Sequence, residues 1–84
     1  MKIENWERID YGKSKVEWKH DTGVRILLVR QGIIYRLFLL DKAGITHYQI
    51  EDLNRGKLEA EAAKWQRDYN KHLRKVSLKD KYQT

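Results

Sequence analysis

Between residues 50 and 58 the hydrophobic period of the chain changes from two to about 3.6, and that switch constrains the fold more than any other feature. Before it, apolar and polar residues alternate in short runs. After it, apolar residues recur on one face of a helix. From Lys13 to His20 the run Lys15, Val16, Glu17, Trp18, Lys19 alternates as a half-buried strand does. His20-Asp21-Thr22-Gly23 supplies a turn, Val24 to Arg30 reads as a second strand, and Gln31-Gly32 is a tight connection. Ile33 to Leu40, rich in branched and aromatic residues, is a third strand. Asp41-Lys42-Ala43-Gly44 is the next turn, and Ile45 to Ile50 a fourth strand. Connections this short join antiparallel neighbours.

Leu58, Ala62, Trp65, Tyr69, Leu73 and Val76 then fall at steps of four, three, four, four and three, which puts them on one helical stripe. Asp52 or Asn54 can cap the start of that helix, and Arg74 and Lys75 suit the negative end of its dipole. The expected class is α+β: a four-stranded antiparallel meander sheet packed on one C-terminal α-helix. Residues 1–84 form a single domain, with 1–12 an N-terminal arm, 13–50 the sheet, 54–75 the helix and 77–84 a frayed tail. The inner sheet face carries Val16, Trp18, Val24, Ile26, Leu28, Tyr35, Leu37, Leu39, Tyr48 and Ile50, which meet the helix. On the outer face Leu27, Val29, Phe38, Leu40 and Ile45 make an apolar centre that an open sheet leaves in water. Either the arm, through Trp6 and Ile9, or a second subunit is expected to cover it.

With 84 residues and no Cys, the domain has neither disulfides nor thiolate metal sites to support a small core. The longest apolar stretch, Ile33 to Leu40, is interrupted by Arg36 and far short of a membrane span, so no membrane partner is expected. The first eight residues lack the apolar core of a signal peptide, which makes the cytoplasm the expected location.

Catalytic chemistry finds little to work with. The hydroxyl nucleophiles Ser14, Ser77 and three Thr stand in no recognisable setting, and His20, His47 and His72 lack metal-ligand spacing. Glu59 and Glu61 lie two apart and point to different helix faces. The glycines mark turns rather than a phosphate cradle. A domain this small also leaves little room for a pocket of several hundred cubic ångströms. No enzyme activity, no cofactor and no metal are expected.

Charge is distributed unevenly. Residues 1–63 hold 11 basic and 10 acidic side chains, a balance of +1; residues 64–84 hold 7 and 2, a balance of +5, giving the net +6. Lys64, Arg67, Lys71 and Arg74 recur on the helix face opposite the apolar stripe, and Lys75, Lys79 and Lys81 prolong the row. Such a row neutralises successive phosphates, although a solvated helix face has the same composition. A second candidate surface is the outer sheet face, where Lys15, Lys19, Arg25 and Arg36 surround Phe38 and His47 as cations surround a stacking aromatic in single-strand binders. Burial of Phe38 under the arm or a partner is the alternative there.

Ile3-x-Asn5-Trp6-x-Arg8, the strand ending at Trp18 and Asp21-Thr22-Gly23 resemble the start of small uncharacterised archaeal proteins that continue as strands and end in a helix. The resemblance covers the first third of the chain and carries no activity. Some of those proteins have C-terminal Cys pairs; this chain has none, so it implies no metal role. In architecture alone, strands followed by a helix also resemble the single-strand-binding transcription coactivator fold and the DNA-binding arm of integrases.

The function expected is therefore a small basic, non-enzymatic nucleic-acid-binding protein that contacts the phosphate backbone through Lys64, Arg67, Lys71, Arg74 and Lys75, with the type of nucleic acid open. The alternative is a protein-interaction or inhibitor module that homodimerises or binds a protein partner through Lys15, Lys19, Arg25, Leu27, Arg36, Phe38 and Leu40. A membrane-surface role for the helix is the weakest reading, because the sheet needs its apolar stripe.

Overall fold

The computed structural model describes the backbone of residues 3–82 and the side chains of residues 3–74. Five strands, β1 (Trp6–Asp10), β2 (Lys15–His20), β3 (Arg25–Gln31), β4 (Ile34–Leu40) and β5 (Thr46–Asp52), precede one helix, α1 (Arg55–Tyr82). The strands form a single antiparallel sheet in the order β1-β2-β3-β4-β5. The α+β class and meander order agree with the sequence reading, but the strand count is five rather than four.

The extra strand is the segment expected to be an arm. Trp6, Arg8 and Asp10 share its inner face, paired in register with His20, Trp18 and Val16. Two of these three inward residues are charged, so the strand has no visible apolar alternation. Arg8 instead lays its guanidinium 5.6 Å from the Trp18 ring centroid while its Nη2 donates to Asp10 Oδ1 at 3.2 Å, so the two charges answer each other beside the aromatic face. Trp6 turns under the helix and is 1% exposed. The arm therefore extends the sheet at its edge and does not cover the outer face, where Leu27, Val29 and Phe38 stay half-buried.

Turn residues set the hairpins. Gly32 adopts φ 65° in the two-residue connection of β3 to β4, and Gly23 φ 99° in the β2–β3 turn, conformations that side-chain-bearing residues rarely adopt. Ile45 stands in the β4–β5 turn, exposed, and adds nothing to the apolar centre.

Asn54 is the helix cap: its Oδ1 accepts the N–H of Gly56 at 2.8 Å and that of Lys57 at 3.4 Å. Leu58 and Ala62 are buried as the stripe requires, while Trp65, Tyr69 and Leu73 are half-buried. The side chain of Val76 lies outside the described residues. The deepest line down α1 is Leu58, Ala62, Gln66 and Asn70, with Gln66 3% and Asn70 9% exposed. Both polar positions belong to one network in which Trp6 Nε1 donates to Gln66 O at 3.2 Å and Asn70 Oδ1 at 3.1 Å, and Asn70 Nδ2 donates to Glu4 O at 2.9 Å.

The helix runs on past the expected end at Lys75 to Tyr82, because no Gly or Pro follows Gly56 to stop it. Its 28 residues span about 42 Å, whereas seven-residue strands span about 23 Å. The helix thus outruns the sheet, and the molecule measures 52 × 24 × 21 Å. No helix among the described residues is long and apolar enough to cross a membrane.

Candidate nucleic-acid interface

Because Leu58, Ala62, Gln66 and Asn70 face the sheet, 3.6 residues per turn place Lys64, Arg67, Lys71 and Arg74 on the opposite side, and all four are exposed. Lys57, seven residues before Lys64, joins the same arc, about 100° wide. The heptad step from Lys57 to Lys64 to Lys71 is the sequence signal that adds it to the row beginning at Lys64. Arg74 reaches Glu4 at 3.5 Å, but both side chains are more than 70% exposed, so the pair holds little energy. Lys57, Lys64, Arg67 and Lys71 form no ion pair among the described residues. Lys75 continues the helix, and its side chain lies outside the described residues.

The outer sheet face is organised differently. In register across the strands, Ile9, Glu17, Leu27, Phe38 and Gln49 form one row. Glu17 is buried there, and its carboxylate accepts the Tyr11 hydroxyl at 2.8 Å and Arg25 Nη1 at 3.5 Å. The hydrogen bond to that carboxylate raises the Tyr11 phenol above its ordinary pKa, with partial desolvation and the Glu17 charge acting in the same direction and Arg25 against them. Arg36 lies 3.3 Å from Glu51, and Lys15 lies 4.9 Å from the Tyr11 ring centroid. Of the four cations around Phe38, two are thus neutralised by carboxylates and a third is held by an aromatic; Lys19 alone is exposed without such a partner among the described residues. Leu27, Phe38 and Leu40 sit between these pairs as an apolar strip across β3 and β4.

His47 is not on that face beside Phe38. The register of β4 with β5 shifts between Leu39 and Leu40, leaving His47 as the bulged residue. The bulge brings its Nε2 to Asp41 Oδ2 at 2.8 Å. Asp41 Oδ1 accepts the N–H groups of Ala43 and Ile45, both at 2.9 Å. These donors, the His47 hydrogen bond foremost, hold the Asp41 carboxyl below the usual carboxylate range. His20 is buried beneath α1, its ring edge-on to Trp6 and Tyr69 at centroid distances of 4.9 and 4.8 Å. His72 is exposed on the helix.

The molecule does hold a concavity of several hundred cubic ångströms, contrary to the expectation from size. An open groove of about 740 Å³ lies between the β5 side of the sheet and α1, with Leu39, Tyr48 and Ile50 on one wall and Trp65 and Tyr69 on the other. One helix cannot cover a sheet five strands wide, and the uncovered part of the inner face becomes this groove.

Comparison with protein-family models, with curated proteins and with solved structures found no match for this chain.

Proposed function

We propose that this is a small non-enzymatic nucleic-acid-binding protein that grips the phosphate backbone with the outward arc of α1. The observation behind this reading is the contrast between two sets of cations. Those on the sheet are mostly spent on Glu17, Glu51 and Tyr11. Lys57, Lys64, Arg67 and Lys71 stand exposed along one side of a helix that outruns its sheet. Their release of counterions from a polyanion favours binding with little sequence preference. The test is anisotropy of labelled duplex and single-stranded DNA and of RNA, titrated with the protein at several salt concentrations. Binding that falls linearly in log salt supports the reading; no binding at low salt overturns it.

A second reading concerns the outer sheet face, and what favours it is the placement of β1 at the sheet edge. Five strands about 4.8 Å apart and about 20 Å long offer a footprint of about 480 Å², so two copies face to face bury about 1,000 Å², the lower bound of a specific interface. Two of the four cations on the face have carboxylate partners within it, Arg25 with Glu17 and Arg36 with Glu51, which leaves Lys15 and Lys19 as the charge that a second copy must avoid. The occupant we assign to it is a second copy of this chain, packed sheet to sheet with the helices outermost.

A further inference from the structure

The groove between β5 and α1 has a composition unlike the rest of the molecule. Register pairs Tyr48 with Leu39 on the core side of the sheet, yet Tyr48 is 65% exposed. Its ring lies 6.3 Å from that of Trp65, tilted by 47°, over an apolar floor of Leu39 and Ile50. The chain carries a net charge of +6, but no Lys or Arg lines the groove; Asp68 does, with His47 and His72, while Asp41 at the same groove is already engaged by His47 and the Ala43 and Ile45 amides. A site with aromatic walls, an exposed Asp68 carboxylate and no Lys or Arg suits a cationic side chain better than a phosphate.

The backbone beside the groove is also open. β5 is the last strand of the sheet, and its outer edge pairs with nothing among the described residues. Its sequence, Thr46-His47-Tyr48-Gln49-Ile50-Glu51-Asp52, contains neither the Lys nor the Pro that commonly blunts an edge strand, and the His47 bulge interrupts only its start. An extended segment added to such an edge gains main-chain hydrogen bonds, and every second side chain projects over the inner face.

Together the geometry points to a binding site for an extended basic peptide of a partner protein, which adds to the β5 edge as a sixth strand. Its Lys or Arg side chains lie on the faces of Tyr48 and Trp65 and pair with Asp68. The site borders the basic arc without sharing its side chains: Asp68 and Trp65 face the groove, and Lys64 and Lys71, one turn to either side of Asp68, begin the arc that Arg67 continues around α1.

The test is titration with a labelled peptide of alternating Arg and Thr, followed by anisotropy and by backbone amide NMR. Two control peptides replace each Arg by norleucine or by Glu. Binding of the Arg peptide at micromolar concentration, with amide shifts centred on Tyr48 to Asp52, is the expected result. Tyr48→Ala and Asp68→Lys change exposed side chains and should each weaken it by about tenfold or more. The triple variant Lys64→Gln, Arg67→Gln, Lys71→Gln should bind the peptide undiminished, which separates this site from the nucleic-acid surface. Equal affinity for the norleucine or Glu peptide, indifference to Asp68→Lys, or no binding at millimolar concentration overturns the proposal.

Discussion

The indole Nε1 of Trp6 lies 3.1 Å from Asn70 Oδ1, a hydrogen bond between residues 64 apart that fastens the first strand to the last helix. It is buried, and Asn70 continues it to the Glu4 carbonyl. This contact turns the N-terminal segment into a strand that belongs to the core.

Asn70→Ala leaves the Glu4 carbonyl without its donor and Trp6 Nε1 with only the Gln66 carbonyl. We expect a loss of about 1–3 kcal/mol in urea unfolding. Trp6→Phe should cost a comparable amount, and the double variant less than the sum. Strict additivity would show that the two residues do not act as one unit.

Asp41 organises the β4–β5 turn through His47, Ala43 and Ile45. Its carboxyl is lowered when folded, so its stabilisation is present above the ordinary carboxylate range and lost as pH falls through the lowered folded value. Asp41→Asn should therefore lower Tm at neutral pH, with the difference closing as the pH falls below the ordinary carboxylate range. A Tm difference that is the same at both ends of that range would place the effect elsewhere.

On the basic arc, each phosphate-contacting cation removed should reduce the slope of log K against log salt by about one. Lys64→Gln, Arg67→Gln and Lys71→Gln are all exposed changes, so circular dichroism and Tm should stay at the parental values. Arg25→Gln and Arg36→Gln on the sheet should leave the slope unaltered, since both cations already serve carboxylates. The reverse pattern would move the interface to the sheet.

Phe38→Glu places a charge in the middle of the outer face, between Leu27 and Gln49 in register. If two copies meet there, sedimentation should show a dimer for the parent chain and a folded monomer for the variant. A parent chain that is monomeric at high concentration removes the second reading.

The sequence alone determined whatever depends on neighbours along the chain. The change of period after Ile50, the alternation Val16-Glu17-Trp18-Lys19 and the turn residues Gly23 and Gly32 fixed four strands and a helix, because each is a local steric or periodic requirement. The arc of Lys64, Arg67 and Lys71 was legible for the same reason: helical spacing alone puts those residues on one face. Four features were decided only by tertiary structure. β1 exists because Trp6 finds Asn70 and Arg8 finds Trp18, partners no window of sequence connects. Gln66 and Asn70 are buried because that network satisfies them, against what their polarity suggests. The sheet cations lost their apparent freedom to Glu17 and Glu51, whose positions depend on strand register. Tyr48 fits the inner-face pattern yet meets solvent, because alternation fixes which face a side chain takes, whereas the width of the sheet and the path of a single helix decide how much of that face is covered.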